Sequence, residues 1–256
     1  MPTTTDFDVD LTGQVALITG TTSGLGVRFA QVLASKGAKV AITGRRVARL
    51  DELKAQIESD GGTVAAIALD VTDEESIEAC VEETEKQLGP ITILINNAGM
   101  SIEGFVVNTA TEDFDRIMST NVRGPFLMAR QVGKRMIERG TGGQVINIAS
   151  IAAKKALPGL VPYCTTKAAV AMMTQALARE WARYNINVNA ICPGFIVTEI
   201  NDKWFATDVG QKQLQRYPRR RAGEPSDLDG ALLLLASPQS RFITGELLVV
   251  DDAQSL

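Results

Sequence analysis

Val15-Ala16-Leu17-Ile18-Thr19-Gly20-Thr21-Thr22-Ser23-Gly24-Leu25-Gly26 is the stretch that decides the fold. An apolar run of strand length enters a turn carrying three glycines, and a helical pattern follows. Strand, glycine turn and helix in that order is the setting in which such glycines point to a dinucleotide. Gly20 allows the tight turn, Gly24 lets the backbone approach a pyrophosphate, and Gly26 permits close helix–strand packing. Thr22, Ser23 and Leu25 complete the turn, and the next helix aims its N-terminal amides at the phosphates.

Outward from this stretch, strand-like runs alternate with longer helical patterns. Strands are expected near 14–18, 38–43, 64–69, 91–95, 144–149, 187–191 and 246–250, and helices near 25–35, 47–59, 74–88, 112–139, 162–184 and 226–237. The alternation predicts an α/β fold: a Rossmann-like, doubly wound parallel sheet of about seven strands with helices on both faces. A chain of 256 residues with no linker or repeat reads as one domain over 1–256. The stretch 196–225 lacks a strand, holds a short helical segment near 208–216, and reads as a lid or binding loop.

Composition narrows the chemistry. A net charge of −4 gives no reason to expect nucleic acid as a partner. Residues 1–10 are acidic and lack the basic start and apolar centre of a signal peptide, and the aliphatic block 231–236 is too short to cross a membrane, so no membrane partner and a cytoplasmic location are expected. Cys80, Cys164 and Cys192 show no metal-ligand spacing, and no metal is expected. The chain has no histidine, which removes Ser-His-Asp hydrolysis and most zinc-alcohol chemistry. Acid/base work at neutral pH therefore falls to another group.

Tyr163 and Lys167 offer one. They stand four residues apart at the opening of a long helical pattern, so both side chains leave one face. A free phenol titrates near ~10, and a neighbouring ammonium is expected to lower that value. Ser150 ends the apolar run Gln-Val-Ile-Asn-Ile-Ala-Ser, and Asn96-Asn97-Ala98-Gly99 follows the apolar run 91–95. Together with the glycine turn and Pro193-Gly194, these residues resemble the short-chain dehydrogenase/reductase family, from about Leu11 to Asp251.

The resemblance implies hydride transfer between a nicotinamide cofactor and a carbonyl or alcohol substrate. It implies a catalytic set of Asn121, Ser150, Tyr163 and Lys167. Tyr163 would exchange the proton of the substrate oxygen, Ser150 would hold that oxygen, Lys167 would lower the tyrosine's pKa and bond the nicotinamide ribose, and Asn121 would support a proton-relaying water. Asp70 with Val71 would meet the adenine, Asn97, Ala98 and Gly99 would line the ribose, and Pro193, Gly194, Ile196 and Thr198 would flank the nicotinamide. NAD-specific relatives place an acid at the end of the second strand, where this chain has Gly44 followed by Arg45 and Arg46. A guanidinium there suits a 2′-phosphate, so NADP(H) is favoured and NAD(H) is the alternative. A homotetramer is implied in the same way. A catalytically silent dinucleotide-binding regulator is the rival of another class. Phe105, Leu157, Leu160, Trp204 and Phe205 suggest either an apolar substrate wall or core, while Asp251-Asp252-Ala253 replaces the family's frequent Asp-Gly-Gly and leaves the path of the tail open.

Overall fold

A computed structural model describes residues 9–199 and 201–256. Most of the acidic start, residues 1–8, and Ile200 of the expected lid lie outside the described residues. Seven strands, β1 (Val15–Thr19), β2 (Lys39–Gly44), β3 (Thr63–Ala68), β4 (Ile93–Asn96), β5 (Gly143–Ile148), β6 (Ile186–Pro193) and β7 (Leu247–Val250), form one sheet in the order β3-β2-β1-β4-β5-β6-β7. Every pairing is parallel. Strand order runs outward in opposite directions from β1 and β4, and the crevice between their carboxyl ends is where such sheets bind ligands.

The strands are apolar on both faces because helices cover both. Ala16 and Ile18 pack with Phe29 and Leu33 of α1 (Leu25–Ser35), Leu50 and Leu53 of α2 (Val47–Ser59) and, further along that face, Leu232 and Leu235 of the last helix. Val15 and Leu17 turn the other way. They join the cluster of Val81 from α3 (Glu74–Leu88), Met128 and Val132 from the helix Gly124–Arg139, and Trp181 from the helix Val161–Trp181. Among the described residues no helix is long and apolar enough to cross a membrane.

Three segments differ from the expectation. The single helix over 112–139 is α4 (Thr111–Met118), a π turn (Ser119–Arg123) and α5 (Gly124–Arg139). Hydrophobic periodicity cannot register one extra residue in a turn, and π turns are frequent at functional sites. The helix over 162–184 is α6 (Val161–Trp181) followed by a 3-10 turn. Segment 196–225 contains two short helices, α7 (Asp202–Phe205) and α8 (Asp208–Leu214), and α9 (Asp229–Ala236) follows a 3-10 turn at Pro225–Leu228.

Polar side chains also tie the layers. Asn96 of β4 stands opposite Asn147 of β5. Asn96 Nδ2 donates to Asn147 Oδ1 at 2.9 Å, and Asn147 Nδ2 donates to Thr174 Oγ1 of α6 at 2.8 Å, all fully within the core.

The approach of α5 to α6 depends on Gly133, where an added Cβ would lie 2.5 Å from Trp181 Cη2. Gly133→Ala is expected to destabilise by about 1–3 kcal/mol through overpacking, despite alanine's roughly 1 kcal/mol better helix propensity. Denaturant unfolding reads the change, and a second substitution, Trp181→Leu, should recover part of it. A Gly133→Ala protein as stable as the parent would show that this contact does not limit the packing.

Candidate active site

Because all seven strands are parallel, the segments that follow them gather at one edge of the sheet. At the end of β1 the turn is pinned from two sides. Thr21 N and Oγ1 both donate to Thr43 O of β2, at 2.9 and 3.2 Å. Thr19 Oγ1 accepts from Asn97 N at 3.0 Å and Ala98 N at 2.9 Å, while Asn97 Nδ2 donates to Thr19 O and Gly20 O at 2.9 and 3.0 Å. The side chain of Asn97 is thus committed to holding the glycine turn.

The three glycines have different local causes. Gly20 has φ +74, and a Cβ there would lie 2.8 Å from Ala98 Cα. Gly26 is in contact with the turn itself, with Gly20 O 2.3 Å from its Cβ position. Gly24 caps α1 at φ +59 and faces only Thr198, 3.5 Å away. The first turn of α1 has no side-chain cap and no acidic residue. Its amides are therefore open to an anion, as a pyrophosphate requires. A nicotinamide dinucleotide fits this turn on that ground.

Around the second strand, Gly44 leaves no carboxylate, and its Cβ position lies 2.7 Å from Thr22 Cγ2. Arg46 folds over the turn, with Nη2 donating to Thr22 Oγ1 at 2.7 Å and to Ser23 Oγ at 2.9 Å. Arg45 lies toward Asp70. Asp70 Oδ1 accepts from Thr72 N at 2.9 Å and Thr72 Oγ1 at 2.7 Å, and the carboxyl is held below its usual range chiefly by the Thr72 amide, with Arg45 adding to the effect. Val71 is buried against the Gly124 position on α5. Gly194 follows Pro193 with its amide on Val250 O at 3.0 Å. Asn201 ties the next stretch, its Nδ2 donating to Ile196 O and its Oδ1 accepting from Thr198 N, both at 2.8 Å.

The expected catalytic residues converge beside this turn. Ser150 follows β5, is buried, and its Oγ accepts from Ala152 N at 3.1 Å. Lys167 is buried one helical turn beyond Tyr163, with Nζ donating to Ile148 O at 2.7 Å and lying 5.5 Å from the Tyr163 ring centroid. Burial pushes the Lys167 ammonium down to about 8. Burial pushes the Tyr163 phenol upward, and the Ser150 hydroxyl hydrogen bonded to it offsets this in part. The lowering of Tyr163 by Lys167 expected from their spacing is thus absent from the protein alone, where desolvation dominates. Asn121 sits in the π turn, its Oδ1 accepting from Met100 N at 2.9 Å and its Nδ2 donating to Met100 O at 2.8 Å and Thr166 Oγ1 at 3.2 Å. It ties the segment after Gly99 to α6.

The expected apolar wall is divided. Phe205 is buried in a ring cluster with Phe195 and Trp204, whereas Phe105 is 71% exposed. Two residues with no sequence signal of their own, Lys155 and Gln254, join the tail to this region together with Asp252. Asp252 and Ala253 adopt φ +53 and +63, so non-glycine residues hold the left-handed backbone.

Comparison with known proteins identifies the family and the fold. A match to the short chain dehydrogenase family covers residues 14–209. The chain is 36% identical over 242 residues to gluconate 5-dehydrogenase of Gluconobacter oxydans, covering 94% of each chain. It is 39% identical over 251 residues to NAD-dependent glycerol dehydrogenase of Listeria innocua, covering 98% of this chain and 97% of the relative. Among solved structures, gluconate 5-dehydrogenase from Burkholderia cenocepacia in complex with NADP and tartrate superposes with a TM-score of 0.91 at 34% identity, covering 96% of each chain.

Proposed function

The chain belongs to the short-chain dehydrogenase family and is an oxidoreductase acting on CH–OH groups, and on that premise we propose that it transfers hydride between NADP(H) and a small polyhydroxylated alcohol or the corresponding ketone. The observation that carries the proposal is the convergence of Ser150, Tyr163 and Lys167 beside an uncapped helix N-terminus. The relatives named for gluconate and glycerol support a hydroxylated substrate. A 3-oxoacyl thioester is the alternative substrate, which a rate screen over both classes separates.

The nicotinamide, when bound, supplies or accepts the hydride. In reduction, Tyr163 donates its proton to the carbonyl oxygen, and burial favours the protonated phenol that this direction needs. Ser150 holds the same oxygen and stabilises the charge developing there. Lys167 spends one donor on Ile148 O and has two others for the ribose hydroxyls, while its charge favours the phenolate left after transfer. Asn121, through Met100 and Thr166, fixes the floor beneath them. Arg45 and Arg46 follow Gly44 and take the 2′-phosphate, with Thr22 and Ser23 orienting the second guanidinium. Association into a homo-oligomer is supported by the apolar groove of Phe114, Phe126 and Met173 on the outer face.

Tyr163→Phe should lower kcat for ketone reduction by about 10²–10⁴-fold while NADPH binding, followed by fluorescence titration, is retained. Near-normal turnover would refute the acid assignment.

The lowered value of Lys167 sets a pH dependence. The ammonium is present below about 8 and lost above it, so kcat/KM for reduction should fall as pH rises through that value. Lys167→Met should lose this limb. A fall retained in the variant would assign the limb to another group.

Cofactor choice is tested by a carboxylate at Gly44. Its Cβ would meet Thr22 Cγ2 at 2.7 Å, so Thr22→Ser is included to remove that methyl while keeping the hydroxyl. The parent should prefer NADPH, and Thr22→Ser/Gly44→Asp/Arg45→Ala should prefer NADH. Loss of one charge-assisted contact of about 1.5–3 kcal/mol corresponds to roughly ten- to a hundredfold in kcat/KM. A parent that prefers NADH would place this chain with the NAD-dependent relative.

A further inference from the structure

The segment between Phe195 and Gly223 leaves the sheet edge and returns to it through a narrow neck. Gly223 N donates to Phe195 O at 2.9 Å, and Val197 N donates to Gly223 O at 2.8 Å. Two backbone hydrogen bonds therefore close a loop that carries α7 and α8. A third connection comes from the tail. Gln254 is only 4% exposed, and its Oε1 accepts from Phe195 N at 2.7 Å while its Nε2 donates to Arg221 O at 3.3 Å. One side-chain amide thus bridges the outgoing and returning limbs of the neck. The backbone carbonyl of the same residue accepts from Lys155 Nζ at 2.7 Å, five residues beyond Ser150.

The turn that presents Gln254 is held from several directions. The Asp251 carboxylate accepts from Ala253 N at 3.0 Å and Ser255 N at 2.8 Å. The Asp252 carboxylate pairs with Arg219 at 3.2 Å and Arg221 at 3.0 Å, both on the returning limb. Asp252 and Ala253 sit at φ +53 and +63, a conformation unfavourable for an L-residue that persists where the surroundings over-determine it. At Gly194 a Cβ would lie 2.5 Å from Gln254 Oε1, so the Pro193-Gly194 segment is shaped around this amide.

We infer that Gln254 is a positioning residue: it joins the lid neck to the segment carrying Ser150, and so sets the spacing of the two walls between which the substrate lies. The inference rests on the reading of the site as a carbonyl reductase. Gln254 acts through Phe195, Arg221 and Lys155 and supplies no group to the reacting atoms. Its loss should therefore weaken substrate binding more than the chemical step, because the tyrosine, the serine and the lysine are held by β5 and α6.

The test compares Gln254→Met, which fills the same volume without either hydrogen bond, with the parent holoenzyme under saturating NADPH. Gln254→Met should raise KM for the ketone about tenfold, with kcat within about threefold and NADPH affinity unchanged. Lys155→Met should shift KM in the same direction and remains informative if the glutamine variant does not fold. Hydrogen exchange supplies a readout independent of turnover: the amides of Phe195, Val197 and Gly223 should exchange faster in Gln254→Met while those of β1 and β4 do not. A parent-like KM with parent-like exchange in Gln254→Met would reduce the residue to space filling and overturn the inference. So would a loss of kcat and NADPH affinity together, which marks general damage. If the parent reduces no ketone, the functional reading fails, and the exchange measurement still decides whether the amide holds the neck.

Discussion

One hydroxyl group organises the site. Thr19 ends β1 at the point where strand order reverses, beside the end of β4. Strands that feed connections in opposite directions leave a crevice, and the crevice is useful only if its two lips stay at a fixed distance. Thr19 Oγ1 takes the amides of Asn97 and Ala98, and Asn97 returns its own side-chain donors to Thr19 and Gly20. Thr19 is buried and its partners are half-buried, so these hydrogen bonds are partly shielded from water. The glycine turn, the open start of α1 and the segment leading to Asn121 all take their positions from this exchange.

Much of the fold was legible because it follows from periodicity and backbone chemistry. The apolar runs became strands, and the glycine turn lies where strand and helix require it. The π turn at Ser119–Arg123 escaped because the apolar pattern of a helix tolerates one inserted residue without an obvious break. Asn97 was visible as part of a motif, but its partners, Thr19 and Gly20, lie 78 and 77 residues away in sequence. Gln254 gave no signal, since a glutamine near a chain's last residues ordinarily reads as solvent-facing. The left-handed angles of Asp252 and Ala253 were concealed for the opposite reason: the residues that usually announce them are absent. Phe205, readable as pocket or core, is buried and packed against the rings of Phe195 and Trp204.

The electrostatics of the tyrosine and lysine were the least legible part, for burial is a tertiary property. Spacing alone suggested that the ammonium would draw the phenol downward. Instead the low-dielectric surroundings act on each group separately, raising Tyr163 and lowering Lys167. The same desolvation makes both groups easier to keep neutral, so the resting pair carries less separated charge than two exposed side chains would. With no imidazole in the chain, proton exchange depends on how a bound substrate and cofactor alter this balance.

The amides buried between β4 and β5 have a further consequence for alignment. Both faces of β4 and β5 are apolar, so hydrophobic patterning alone does little to penalise a slip between them. A shift of two residues, which keeps each side chain on its own face, would be the least costly slip. Asn96 and Asn147 do not allow it, for displacement by two positions would set Asn147 against Leu94 and strand buried amides among aliphatic carbons. The amide ladder, rather than the apolar pattern, thus sets the register of this pair. The pair acts as a checksum on assembly, ensuring that the strand ending near Ser150 and the strand ending just before Asn97 come to rest at matched heights.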